Sequence, residues 1–178
     1  MKQRNTLNII SKSKWKITTK RYVGFIDIMG FKDMVAKQTH KEVYDKLLKI
    51  AEFKNIAQKR NIASRNPPKV FIFSDSIIVF SKDDSDLSLT ELLLNIGHLT
   101  QLLLKNTIPF KGAIASGEIS VDEKNSIFFG QPLIDAYLLE EELGIYAVAV
   151  HHSAEKAILN SSINPDFVFE YNLSLIHI

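Results

Sequence analysis

Two runs of β-branched and aromatic residues, Lys69 to Phe73 and Ile77 to Ser81, are separated only by Ser74-Asp75-Ser76. So short a link joins antiparallel neighbours, and the segment predicts a tight hairpin with Asp75 at its tip. A third run, Tyr22 to Met29, is apolar almost throughout, the pattern of a strand covered on both faces. It too carries one aspartate, Asp27, near its end. A carboxylate in such surroundings costs free energy unless it takes up a proton or meets a cation. Taken one at a time, each aspartate also suits a turn or a helix cap. Two in matching apolar contexts point to a shared cation.

The rest of the chain supplies the elements around these strands. Gly30 permits a tight turn into a helix beginning near Lys32. Residues 41 to 60 place Val43, Leu47, Ile50, Ala51, Ile56 and Ala57 at helical spacing with lysines between, and Asn66-Pro67-Pro68 ends the connection. Lys82 to Asp86 is a polar loop with a cap for a leucine-rich helix running to about Lys105. That helix is apolar on more than one face, as in an element either deeply buried or shared with another subunit. Phe110 to Val121 reads as a strand, Ser126 to Phe129 as a short return, Gln131 to Leu143 as a helix and Ile145 to Val150 as a strand. The order predicts an α+β sandwich of the ferredoxin-like or palm type, a mostly antiparallel sheet with helices on one face. There the first strand lies beside the hairpin, which would bring together Asp27 and Asp75, 48 positions apart.

The chain of 178 residues is 46% hydrophobic and 24% charged, enough for one domain with a real core. No run approaches an uninterrupted apolar span of bilayer length, and the start lacks a secretory signal, so a cytoplasmic protein is expected. With no cysteine, any metal site must use oxygen or imidazole ligands. The net charge of +2 hides an asymmetry: residues 1–21 carry seven Lys or Arg and no acid, leaving 15 basic against 20 acidic residues in the body. The organisation expected is a solvated basic arm over 1–21 and a domain over 22–178. The acidic body argues against a nucleic-acid groove. A second apolar run, Phe167 to Ile178, is consistent with a chain shortened from a longer one.

Asp27, Asp75 and a backbone carbonyl such as that of Ile28 are hard oxygen donors of the kind Mg²⁺ or Mn²⁺ accepts, with other positions left for water and phosphate. Two such ions suit an in-line phosphoryl displacement. Gly30-Phe31-Lys32 at a strand-to-helix junction offers backbone amides to a polyphosphate. Together these features suit a nucleoside triphosphate.

The segment Phe25-Ile26-Asp27-Ile28-Met29-Gly30-Phe31 resembles the F-x-D-[IL]-x-G-F segment of the class III nucleotide cyclases, which carries their first metal aspartate. Phe73-Ser74-Asp75-Ser76 resembles the hairpin carrying the second. Lys111 to Glu118 and Phe128 to Tyr137 are similar to the later strand and the G-x-x-V-N-x-A helix, so the likeness spans about residues 22 to 150. Two family pairs are absent. The transition-state Asn and Arg fall at Ile134 and Leu138, and the purine-reading lysine and aspartate fall at Phe71 and Ile127. With these departures the sequence most resembles the bacterial pyrimidine cyclases of Pycsar antiphage defence. That resemblance implies conversion of UTP or CTP to the 3′,5′-cyclic monophosphate and pyrophosphate, with two Mg²⁺ or Mn²⁺ ions per site. It also implies a homodimer with sites at its interface and a product that acts on a separate effector, with no membrane or nucleic-acid partner. The alternative is a degenerate cyclase-like domain that binds a nucleotide or a partner without turnover.

Lys111 opens a strand near the expected site and is a weak candidate for the triphosphate. Tyr44 and Tyr137 read as half-buried packing residues. Glu140, Glu141 and Glu142 read as a solvated helix end, and Asp33 as an early-helix acid. His151 and His152, adjacent at a strand, are expected to point to opposite faces and so not to share an ion.

Overall fold

A computed structural model describes residues 15–60 and 66–161 of the chain. The strand with the longest pairing, β1 (Thr18–Ile28), lies between β3 (Ser76–Phe80) and β4 (Phe110–Asp122), antiparallel to both. Its alternate residues feed two cores, which is why it reads as continuously apolar. Tyr22, Ile26 and Ile28 join one cluster, whereas Val23 and Phe25 enter clusters on the other face. The hairpin forms as expected: β2 (Lys69–Phe73) pairs with β3, and Ser74 in the left-handed region (φ 56°) closes the turn. The sheet runs β2-β3-β1-β4-β5, with β5 at Ile127–Phe129, and β6 (Val148–Val150) joins β4 as the sheet's parallel pair. This is the mostly antiparallel α+β arrangement that the sequence predicts.

The helices are α1 (Phe31–Lys37), α2 (His40–Arg60), α3 (Asp86–Lys105), α4 (Gln131–Glu142) and α5 (His152–Leu159). α3 buries Leu89, Leu92, Ile96, Leu99 and Leu103 in the cluster that Ile50 and Phe53 of α2 complete. It begins where Ser85 accepts a hydrogen bond from the Ser88 amide, the cap expected in the polar loop. Among the described residues α3 is also the one helix long and apolar enough to cross a membrane by length and composition; here its buried stripe packs the sheet.

Two expectations change. The helices do not all lie on one face: α4 covers the opposite side of the sheet, where Ala136 packs with Phe25, Ala113 and Ala115. Its entry is set by Gly130, where a Cβ would stand 2.6 Å from the Glu118 carbonyl and 2.8 Å from the Ile119 Cα. α5 is an element without a strong local signal in the sequence, because its eight residues follow β6 closely and depend on Ala154 and Ile158 reaching the main core.

The basic arm also ends earlier than expected. β1 begins at Thr18, and Arg21 is fully buried rather than solvated. Its guanidinium donates to the carbonyls of Lys16, of Ile17 at 3.4 Å and of Lys82 at 3.1 Å, and lies 4.5 Å from the Trp15 ring centre. Carbonyl dipoles and a π face thus replace most of the lost water, while Nε is buried without an acceptor. Burial lowers its pKa to about 10, with the Asp83 charge opposing the shift, so it stays charged at neutral pH. Residues 1–14 and the Phe167 to Ile178 run lie outside the described residues. Arg21→Ala is expected to destabilise the domain by about 3 kcal/mol, measured by urea unfolding, because it strands three carbonyls and opens a cavity.

Candidate nucleotide and metal site

The register of β1 places Asp27 opposite Ser76 on one side and Lys111 on the other. As an odd-numbered neighbour of Phe25, Asp27 faces the α4 side of the sheet. The hairpin tip is tied to the same place by main chain alone: the Ile28 amide donates to the Asp75 carbonyl at 3.0 Å. Asp27 and Asp75 therefore meet at one end of the sheet, as their sequence contexts suggest. Among the described residues neither carboxylate has a protein hydrogen-bond donor or an ion-pair partner.

The electrostatics follow from that arrangement. The Asp27 carboxyl is pushed up from 3.8 to about 6, first by burial, then by the charges of Asp75 and Glu140, with Lys111 opposing. A half-buried carboxylate beside a second one, neither of them ion-paired within the described residues, forms a donor set suited to a hard divalent ion. Among the described residues no three Asp, Glu or His side chains are grouped closely enough to make an all-protein metal site.

The turn after Asp27 supplies the open amides. Gly30 adopts φ 69°, ψ 17°, a left-handed conformation that suits glycine, and caps α1. The Met29 amide is held by the Pro109 carbonyl at 2.9 Å, and the first helical amide with a backbone acceptor is that of Met34, bonded to Gly30. The amides of Phe31 and Lys32 thus have no partner within the helix. Lys32 is exposed, while Phe31 packs its ring against the main core. Behind the turn, on the opposite face from Asp27, lies a cavity of about 300 Å³ floored by Ile28, Met34 and Ile108.

Lys111 comes to the site but is already engaged. Its ammonium lies 3.1 Å from Glu140 Oε1 and donates to the Glu141 carbonyl at 3.2 Å. Glu140 corrects the reading of the acidic run, since it is 3% exposed whereas Glu141 and Glu142 are exposed. The signal lay in the spacing: Glu140 shares the i, i+4 stripe of Pro132 and Ala136, the buried face of α4.

Other candidates fall elsewhere. Asp33 pairs with Lys37 on the exposed surface of α1 at 3.5 Å. Tyr44 is exposed on α2, whereas Tyr137 sets its ring edge-on to Phe25 at 5.6 Å and donates to Glu141 at 2.6 Å. The two histidines do not diverge: the strand ends at Val150, His151 caps α5, and the rings lie 3.9 Å apart. Phe71 packs between Phe80 and Phe128, at 5.7 and 4.6 Å. Ile127 is half-exposed on β5, and Ile134 and Leu138 present apolar side chains to solvent from α4.

In metal-free buffer Asp27→Asn is expected to raise stability at pH 7. A carboxyl whose folded pKa is raised stabilises the fold only while protonated, so its contribution is lost as pH rises from about 4 to about 6. Allowing for its partial exposure, the gain is on the order of 1 kcal/mol, or about 2–4 °C in Tm. It should vanish near pH 4 in thermal melts with chelator.

No family model and no curated protein matches the sequence. Solved structures do. The guanylate cyclase domain of RhGC from Catenaria anguillulae, in complex with GTP, superposes with a TM-score of 0.60 at 15% identity, over 80% of this chain and 83% of that one. The adenylyl cyclase CyaB from P. aeruginosa gives 0.55 at 16% identity, over 80% and 81%. A dimeric guanylyl cyclase domain of the RhoGC fusion protein from Blastocladiella emersonii gives 0.56 at 13% identity, over 79% and 83%. The chain has the palm-type fold of adenylyl and guanylyl cyclase domains.

Proposed function

We propose that the protein is a pyrimidine nucleotide cyclase. The observation that carries this reading is the meeting of Asp27 and Asp75, without protein partners, beside the open amides of the Gly30 turn. Asp27, Asp75 and the Ile28 carbonyl would hold two Mg²⁺ or Mn²⁺ ions, which supply Lewis-acid charge for displacement at phosphorus. The amides of Gly30 and Phe31 receive the polyphosphate, with Lys32 at its edge. The bond formed joins the ribose 3′-oxygen to the α-phosphorus, and the bond broken releases pyrophosphate.

The choice of pyrimidine rests on what occupies the purine-reading positions. Phe71 is committed to aromatic packing and Ile127 has no polar group, so neither can read a purine edge. UTP or CTP is the substrate on this reading, and the cyclic product serves as a messenger to a separate effector in antiphage defence within the cytoplasm. A homodimer completes the site. Phe73 is 82% exposed at the hairpin tip beside Asp75, and Ile134, Tyr137 and Leu138 extend the apolar surface on the same side of the sheet. Such a patch suits burial against a second copy.

One observation favours a second reading, a cyclase-like domain that binds nucleotide without turnover: Ile134 and Leu138 cannot stabilise a transition state. The two are separated by incubating the protein with Mn²⁺ and UTP, CTP, ATP or GTP, followed by mass spectrometry. Cyclic UMP or cyclic CMP is expected, falling to background in Asp27→Ala and Asp75→Ala. No cyclic product from any nucleotide would overturn the cyclase reading, and product from ATP or GTP alone would overturn the base assignment.

A further inference from the structure

The buried pair formed by Lys111 and Glu140 has a role that the cyclase reading does not require of it. Lys111 is the cross-strand neighbour of Asp27, and both side chains stand on the α4 side of the sheet. An ammonium tethered there has the Asp27 carboxylate as its cross-strand neighbour, with Asp75 beyond it at the hairpin tip. Yet the ion pair it makes is with Glu140, at 3.1 Å, and not with Asp27 or Asp75. The pair is well covered, its side chains 17% and 4% exposed, so attraction across it is screened less than at the surface. The pair is an ion contact without a hydrogen bond: Glu140 Oε1 is buried and accepts none, while the ammonium donates to the Glu141 carbonyl at 3.2 Å. A carboxylate held in this way, on a helix otherwise contributing small and apolar residues to the sheet, acts on its neighbour by charge.

We infer that Glu140 is a positioning residue that holds the Lys111 ammonium away from Asp27 and Asp75 and so keeps the two carboxylates available to a divalent cation. Without it, the ammonium turns to the nearest remaining carboxylates and becomes an internal competitor for the metal. The inference rests on the reading of Asp27 and Asp75 as metal ligands.

It is tested on the full chain without nucleotide by titrating Mn²⁺ and following the free ion by electron paramagnetic resonance. The variants are Glu140→Gln, Lys111→Met, the double variant and Asp27→Asn, each first checked for folding by thermal melting. Glu140→Gln is expected to weaken Mn²⁺ binding about tenfold, Lys111→Met to leave it within about twofold, and the double variant to return it to the wild-type value. Long-range charge alone predicts otherwise: Lys111→Met would then strengthen binding equally in both backgrounds, and such additivity overturns the inference. Wild-type affinity in Glu140→Gln also overturns it while leaving the metal site standing. Failure of the wild type to bind Mn²⁺, or indifference to Asp27→Asn, overturns the metal reading and this inference with it. Should Glu140→Gln not fold, Glu140→Asp replaces it, with the same rescue by Lys111→Met required.

Discussion

Everything at the site depends on the double pairing of β1. Because that strand is hydrogen-bonded on both edges, its register admits no slip: a shift of one residue would exchange the two cores, sending Ile26 into the space of Phe25. The same register sets Asp27 between Ser76 and Lys111. Position is therefore enforced by the burial of apolar side chains on both faces of the sheet, and the electrostatic cost of a half-buried acid is small beside it.

The two faces of the sheet have different tasks. On one, α2 and α3 pack deep leucines and isoleucines against it. On the other, α4 covers only part of the surface and brings one acid to the strand end. Small residues make this possible, since Ala113, Ala115 and Ala136 let the helix come close enough for Glu140 to reach Lys111. A bulkier residue at any of the three would lift the helix and lengthen that contact.

What could be read from the residues, and what could not, divides along the range of the interactions involved. The hairpin, the apolar first strand, the capped α3 and the turn at Gly30 are dictated locally, by alternation, turn chemistry and capping, and all are present. Arg21 looks like one more lysine or arginine in a basic run until the carbonyls of Lys16, Ile17 and Lys82 are folded around it. Glu140 looks like one of three exposed acids unless the helical stripe through Pro132 and Ala136 is followed to its end. His151 reads as a strand residue until the strand stops one position earlier and a helix needs a cap. In each case a partner distant in the chain, or an element boundary, decides the outcome, and composition carries no record of either.

The link between the Ile28 amide and the Asp75 carbonyl has an evolutionary consequence. It joins the two ends of the site through main-chain atoms, so the spacing between positions 27 and 75 survives whatever side chains stand there. Chemistry and architecture are thus written in different parts of the chain. On the proposed cyclase reading, a single substitution at either aspartate would silence the site at almost no cost to the sheet, and a later reversion would find the scaffold still in place. A fold organised this way can pass between active and inactive descendants without crossing a barrier of misfolding.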